Sequence, residues 1–252
     1  MIDLHSHILP GIDDGAGSVQ DSVDIARAAV TDGIVAIAGT PHVRDDWPTK
    51  ADVMEDRVAE LRAELELAGI PLDVRTGGEI ALPWLARLSR EELRRFTLGG
   101  SRYLLVETPY YGWPLELPDA LRSLQEEGFA PVLAHPERNP EVAARPQQLE
   151  ALVEAGVLVQ VTAASVDGRI GRRAQECGLL LIREGLAHLL ASDAHHASVR
   201  EVGMAEAATR VGDTALARWL TWDVPAAILT DEAIPPRPEG RAGGWLGRLL
   251  GG

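Results

Sequence analysis

A single cysteine, Cys177, stands in the 252-residue chain, which excludes an internal disulfide and suits a reducing cytoplasm. Lysine is almost missing as well, since Lys50 alone among the basic residues is not arginine. No uninterrupted apolar run approaches the roughly 18 residues a membrane-spanning helix needs. The chain enters MIDLHSH without a basic segment ahead of an apolar stretch, so neither a signal peptide nor a transmembrane segment is expected, and a cytoplasmic location follows. Positive charge is in short supply: 24 basic against 38 acidic residues leave a net charge of −14, which argues against nonspecific binding to nucleic acid or to an anionic membrane surface. An anionic substrate is not excluded, because bound divalent cations reverse the field locally.

What the chain does have is enough apolar residue, 46% over 252 positions, to bury one full core. Segments suited to strands alternate with segments suited to helices. Ser18 is placed to cap a helix through VQDSVDIARAAVTDG, with Val19, Val23, Ala26 and Val30 on one face. IVAIAGTPH reads as a buried strand ending at His42. Thr49 to Ala68, with Val53, Val58, Leu61, Leu65 and Leu67 among charges, reads as an amphipathic helix closed by Gly69. PLDVRTGGEI reaches Glu79, SRYLLVETP reaches Glu107, FAPVLAHPER reaches His135, VLVQVTAAS follows, and AHLLASDAHH ends at Asp193 and His195. Intervening helices are expected at Trp84 to Leu88 and Glu91 to Phe96, Leu117 to Glu127, Gln147 to Ala155 and Arg169 to Glu184, with two more at about Arg200 to Val211 and Asp213 to Leu229.

Seven strand-then-helix units predict a parallel sheet, and continuous apolar strands such as YLLV and VLVQV predict burial on both faces, as in a barrel. Nearly every strand delivers a His, Asp or Glu to its C-terminal end, the end that carries the active site in (β/α) barrels. An open doubly wound sheet would bring only a few of those ends together. The expected fold is therefore a (β/α)7 TIM-like barrel over residues 1–234, followed by a flexible Pro/Gly-rich tail at 235–252. The tail ends in WLGRLL, an apolar-basic cluster that reads either as a disordered terminus or as a docking element for a partner or a neighbouring subunit, leaving a homo-oligomer open.

His5 and His7 sit one residue apart at the end of an apolar run, so in extended chain both imidazoles face the same side. Two nearby histidines are often only a hydrogen-bonded pair; the rest of the chain decides. His42, His135 and His195 join them at strand ends, with the carboxylates Asp14, Glu79, Glu107 and Asp193. Nine ligands are too many for one metal and suit a cluster of two or three; nitrogen and oxygen donors without thiolate point to Mn, Fe or Zn. Three divalent ions would exceed the four carboxylates by two positive charges and attract a phosphate dianion. Arg138, in AHPER, and Arg200, after SDAHH, could hold phosphate oxygens bidentately, although either could instead be a surface ion pair.

The strings DLHSHILPGIDDG, TPH, GGE, VET, AHPER and SDAHH, in this order and spacing over about residues 1 to 230, resemble the bacterial PHP-type (polymerase and histidinol phosphatase) protein-tyrosine phosphatases of the CpsB/YwqE group. The resemblance implies a distorted (β/α)7 barrel and a metal cluster of three divalent ions, manganese foremost with iron or zinc as alternatives. It also implies a role beside a bacterial tyrosine kinase that controls capsular or exopolysaccharide synthesis. Carried onto this chain, it implies one metal at His5, His7, Glu79 and Asp193, a second sharing Glu79 with Glu107 and His135, and a third at Asp14, His42 and His195. Arg138 and Arg200 match the phosphate-contacting arginines. The implied reaction is direct hydrolysis of phosphotyrosine by a metal-activated water, with Asp14 or His195 able to return a proton to the leaving group. Val43 departs from relatives with a second histidine after TPH, and Asp13 competes with Asp14 by adjacency, position favouring Asp14. Alternatives are a phosphoesterase for a small phosphomonoester such as histidinol phosphate, one for a phosphodiester, or a noncatalytic metal-stabilised scaffold.

Two further features are read from the residues. Cys177 and Arg183 satisfy C-x5-R, the pattern of cysteine-dependent tyrosine phosphatases, but the residues between them are Gly-Leu-Leu-Leu-Ile, an apolar stretch suited to helix packing and not to cradling phosphate. Tyr110, Tyr111 and Trp113, just after Glu107, could line the entrance, the plainer reading being loop packing. His188 and His196 have no assigned role.

Overall fold

The computed structural model describes residues 1–197 and 202–239. Nine strands, β1 (Ile2–Ser6), β2 (Ala36–Gly39), β3 (His42–Val43), β4 (Asp73–Arg75), β5 (Glu79–Ala81), β6 (Tyr103–Glu107), β7 (Ala130–Ala134), β8 (Leu158–Thr162) and β9 (Leu189–Ala191), pair in parallel throughout. They fall into a three-stranded sheet in the order β1-β2-β4 and a six-stranded sheet in the order β3-β5-β6-β7-β8-β9. The two sheets are linked because β2 runs on into β3 and β4 into β5, so the nine strands make the seven expected from sequence.

Each break has a local cause. Pro41 has no N–H to give to a ladder, and it interrupts the first of these strands. Gly77 and Gly78 interrupt the second. A Cβ on Gly78 would lie 2.5 Å from Phe96 Cδ1, so the backbone passes too close to that ring for any side chain. The ring is not closed by a ladder. Between β9 and β1 there is one parallel bridge, Ser6 with Ala194, flanked by Asp193 N donating to His5 O and His7 N to Ala194 O, both at 2.8 Å. The barrel is thus distorted at the seam where the opening histidines meet the last strand.

Helix α1 (Val19–Thr31) begins as its sequence predicts, with the Ser18 hydroxyl accepting from Asp21 N. Helix α2 (Ala51–Leu67) corrects one expectation: Val53 and Leu67 face solvent, Leu67 at 82% exposure. The buried stripe is Ala51, Met54, Val58, Leu61 and Leu65, the spacing that keeps one helical face inward. The segment expected near Gln147 to Ala155 is a 3-10 turn, Pro146–Leu149, running into a short helix, Glu150–Glu154. The long final helix from Asp213 is divided into Thr214–Arg218, a π-helical turn Trp219–Asp223 and Val224–Leu229. No helix among the described residues is long and apolar enough to cross a membrane.

The start of the Pro/Gly-rich stretch lies along the barrel: Trp219 Nε1 donates to Pro235 O at 2.9 Å, and Arg237 to Ile182 O at 2.7 Å. WLGRLL lies outside the described residues. Nearby, at the end of the barrel away from the candidate ligands, His188 Nδ1 accepts from Val159 N at 3.1 Å, and its ring centroid is 6.1 Å from that of Trp219. Burial, then Arg237, pushes its pKa down to about 4. The unfolded chain therefore binds the proton first, so stability is full above about pH 6.5 and falls as pH drops toward 4. The contribution is at most about 3 kcal/mol. A His188→Gln variant, which keeps an acceptor, should show a shallower fall in Tm between pH 6.5 and 4.5 than the parent.

Candidate metal centre

The strand ends converge as the alternating pattern predicts. His5 is the penultimate residue of β1 and His7 follows the strand; His42 opens β3 and pairs in register with Glu79 of β5; Glu107 ends β6 opposite Ala81. His135 follows β7, and Asp193 and His195 follow β9. All eight are buried. Ring centroids of His7 lie 4.0 Å from His195, 4.5 Å from His42 and 5.4 Å from His5, and His5 is 5.4 Å from His135.

Asp14 joins at the open side, its side chain 43% exposed, with Oδ1 3.4 Å from both His42 Nε2 and His195 Nε2. Its loop folds back because Gly15 has no side chain: a Cβ there would sit 2.1 Å from His7 O, the atom that accepts from Ala16 N. His135 and Asp193 both adopt left-handed backbone, φ 34° and 53°, uncommon for residues with side chains. Each lies at the turn off a strand, where this kink aims the side chain into the cluster, and such strain gathers at functional sites.

Glu79 is the hub. Its Oε1 is 2.7 Å from His135 Nε2, and its Oε2 is 2.8 Å from His42 Nδ1 and 3.4 Å from the Nε2 atoms of His5 and His7. Asp193 Oδ1 stands 3.6 Å from His5 Nε2 and 3.4 Å from His7 Nε2. Groups with ligand atoms close enough to share an ion are His7, Asp14, His42 and His195; His5, His7 and Asp193; His5, Glu79 and His135; and His42, Glu79 and Glu107. Asp14, His42 and His195 therefore meet as the resemblance implies, with His7 beside them. Glu107 is drawn toward His42, Oε2 to Nδ1 at 4.0 Å, while His135 groups with Glu79 and His5.

Several partners under the cluster orient its ligands, and of these only Asp13 is singled out by sequence. His7 Nδ1 donates to Asp13 Oδ2 at 2.7 Å, His5 Nδ1 to Gln160 Oε1 at 3.0 Å, and His195 Nδ1 to the Asp193 carbonyl at 3.0 Å. A carboxylate or carbonyl oxygen only accepts, so each bond fixes the proton on Nδ1 and leaves the Nε2 lone pair for a metal. Asp13 also accepts from His42 N at 3.1 Å and Gly15 N at 3.0 Å, which assigns it to holding the loop while Asp14 faces the cluster. Below lies Asp3, accepting from Ser192 N and Oγ and from His5 N. Arg44, also missed in the sequence, lies 3.3 Å from Glu107 Oε1 and 3.8 Å from Asp14 Oδ2. Replacing Asp13 by Asn should lower metal affinity or turnover about 10–100-fold, read by metal content and kcat together.

The charges need cations. Burial drives His5 down, but Glu79 and Asp193 outweigh it and lift its pKa to about 9. Burial and then Glu79 push Glu107 up to about 8. The nearby His195 ring dominates at Asp14 and holds it well below the usual carboxylate range. His5 Nε2, His7 Nε2, His42 Nδ1 and Glu79 Oε2 are buried and make no well-aligned hydrogen bond, the 2.8 Å approach of His42 Nδ1 to Glu79 Oε2 included, and buried polar atoms are rarely left so. Divalent ions fit this donor set.

Arg138 NH1 donates to Asp193 Oδ2 at 2.6 Å, and its guanidinium carbon lies 4.9 Å from the Tyr110 ring centroid. The Tyr110 ring is in turn nearly parallel to His135, 5.9 Å away. Tyr110 and Tyr111 line a 390 Å³ cleft with Arg138; Trp113 instead lines a separate groove with Pro118 and Leu121, because the chain reverses at Gly112, φ 77°. Arg200 lies outside the described residues, and His196 is exposed. Cys177 is buried in the helix Arg172–Glu184, its thiol pushed up to about 12 by burial, while Arg183 points to Glu184 Oε1 at 3.1 Å. Cys177→Ser should keep kcat/KM within about twofold, since an un-ionised buried thiol is no nucleophile; an inactive but folded variant would contradict a metal mechanism.

Comparison with known proteins gives a consistent picture. Tyrosine-protein phosphatase YwqE of Bacillus subtilis (strain 168) is 36% identical over 208 residues, 82% of each chain. Tyrosine-protein phosphatase CpsB of Streptococcus pneumoniae is 26% identical, matching 93% of this chain and all of its own length. A solved chain from the crystal structures of YwqE and S. pneumoniae CpsB, described as unique metal-dependent tyrosine phosphatases, superposes with a TM-score of 0.83 at 34% identity over 96% of this chain. The lactonase Lmo2620 of Listeria monocytogenes, at 14% identity and a TM-score of 0.50, shares the fold alone. The family model for capsular polysaccharide synthesis, CpsB/CapC, matches residues 1–230, and the chain belongs to that family.

Proposed function

We propose that this protein is a metal-dependent protein-tyrosine phosphatase that acts on phosphotyrosine in a bacterial tyrosine kinase controlling capsular or exopolysaccharide synthesis. The observation that carries the reading is the set of buried donor atoms without a well-aligned hydrogen bond on His5, His7, His42 and Glu79 in one cluster with Asp14, Glu107, His135, Asp193 and His195. These nine residues would hold three divalent ions, manganese foremost with iron or zinc as alternatives. Bound ions supply Lewis-acid charge for the phosphoryl oxygens and acidify water near neutral pH. The relatives' activity and the family's link to capsule synthesis support substrate and setting.

The chain's own groups divide the remaining work. Asp13, Gln160 and the Asp193 carbonyl hold the imidazoles in one tautomer and orientation. Arg138, fixed by Asp193 and lining the cleft beside the cluster, can take the charge that builds on the transferring phosphoryl group. Arg200 is assigned the same task. Asp14 and His195 stand at the open side as ligands, Asp14 ionised and His195 carrying its proton on Nδ1, so the phenolate oxygen, with a pKa of about 10, leaves with modest help and takes its proton from water.

The test is elemental analysis of purified protein with turnover measured before and after chelation, on phosphotyrosyl peptide, phosphoseryl peptide and histidinol phosphate. Chelator-sensitive turnover led by the phosphotyrosyl peptide is expected. Preference for histidinol phosphate would replace the substrate, and an inactive metal-loaded protein that still binds a partner would favour the scaffold.

A further inference from the structure

The 390 Å³ cleft beside the cluster is wide enough for more than a phosphoryl group, and the reaction uses only one of its walls. Its lining includes Tyr110, Tyr111, Arg138, Ile170 and Arg173. A smaller pocket lined by Asp193 and Ser192 shares Arg138 and Ile170 with it, so the cleft adjoins the metal ligands at Arg138 and reaches Arg173 on its far side. At the inner end Arg138 is tied to Asp193; at the outer end Tyr111 is 83% exposed and Arg173 is open to solvent, with NH2 donating to Pro140 O at 2.7 Å.

The charge of this cleft is opposite to that of the molecule. In a chain of net charge −14, its lining carries two guanidinium groups and one carboxyl, Glu137. Glu137 is 1% exposed, with Oε1 accepting from Thr162 N and Ser165 Oγ, so the carboxyl is turned into the protein. The helix Arg172–Glu184, which carries Arg173, begins with two arginines, has no acidic residue in its first turn and no side-chain cap, so its positive end adds to the field. Of the two guanidinium groups in this lining, Arg138 serves the phosphoryl end. A second, farther out along an aromatic and aliphatic wall, suits a negative group one or two residues away in the same peptide, at about 3.5 Å of chain per residue.

Resting on the phosphatase reading above, we propose that the cleft is a peptide subsite in which Arg173 selects substrates carrying an acidic residue beside the phosphotyrosine. Arg173 is a specificity residue and takes no part in bond cleavage. A partly exposed charge pair contributes modestly, so kcat/KM should favour Asp- or Glu-flanked phosphotyrosyl peptides over Lys-flanked ones by about 3–10-fold, mostly through KM and less so at high salt.

The experiment pairs Arg173→Glu and Arg173→Ala with phosphotyrosyl peptides carrying Asp, Ala or Lys on either side, and with p-nitrophenyl phosphate, which has no flank. Arg173→Glu should invert the preference and Arg173→Ala should erase it, both leaving p-nitrophenyl phosphate turnover within about twofold. An unchanged flank preference in Arg173→Glu, or an equal loss on every substrate including p-nitrophenyl phosphate, would overturn the subsite while the phosphatase reading stands. Failure of the metal-loaded parent to hydrolyse any phosphotyrosyl substrate would overturn that reading, and the subsite with it.

Discussion

Glu79→Gln is expected to lower kcat/KM about a thousandfold and to strip metal from the purified protein. The carboxylate is fully buried and lies within 3.4 Å of four imidazoles, those of His5, His7, His42 and His135. Burial alone would raise its pKa, but those histidines, His5 first, outweigh burial and hold it well below the usual range. Glutamine keeps the shape and loses the charge, and breaking one partner out of a buried ionic set costs about 3–5 kcal/mol, which is about 10²–10⁴ in rate or affinity. Metal content, Tm and p-nitrophenyl phosphate turnover read the result, and a variant that retains both metal and turnover would remove Glu79 from the centre.

The same geometry sets a pH signature for chelated protein. His5 titrates at about 9 in the fold against 6.5 unfolded, so its proton contributes stability that is complete below pH 6.5 and lost as pH rises through 9. Glu107, at about 8 against 4.5, acts in the same direction, because the fold favours its neutral form. Chelated protein should therefore melt at falling temperature from near neutrality to pH 9, and the slope should flatten when divalent ions replace the protons.

Arg138→Ala should lower kcat about 10²–10³-fold, the usual loss when one preorganised donor to a developing oxyanion is removed. Arg138→Lys should recover part of it, since a point charge replaces a bidentate fork. Arg138 also bonds Asp193, so metal content separates the two roles: it should persist in Arg138→Ala and vanish in Glu79→Gln. Equal metal loss in both would make Arg138 a support for Asp193 and not a group that meets substrate.

Much of the barrel is legible because strands and helices announce themselves locally. Ser18 caps α1 where its hydroxyl can reach Asp21 N, and the strands ending near Glu107 and His135 are short apolar runs closed by a polar residue. Legibility fails where the outcome depends on contacts across the fold. Val53 and Leu67 look like core residues by type, yet Met54 and Ala51 take the inward positions, because the face of α2 is chosen by what it packs on. Trp113 belongs by sequence with Tyr110 and Tyr111, but the left-handed turn at Gly112 sends it to another groove. Gln160 and Arg44 have no motif, and their importance comes from meeting His5 and Glu107 across 155 and 63 residues; Asp3 and Asp13 stand in the opening motif, but only the fold shows them bonded to Ser192 and to His7 and the His42 backbone.

The sequence by itself determined the family, the order of strand and helix, and the nine residue types delivered to one end of the barrel, since a strand's period and its terminal residue are properties of a few neighbouring positions. Tertiary structure alone decided how those residues are shared: that Glu79 stands among four histidines, that Glu107 leans to His42, that Asp13 orients while Asp14 faces outward, and that Arg173 meets Arg138 across a cleft. The reason is geometric. Which end of a strand a residue occupies is written locally, but its neighbours around the barrel are set by ladder register, by the breaks at Pro41 and Gly77–Gly78 and by the loosely bridged seam between β9 and β1, all fixed by contacts far apart in the chain.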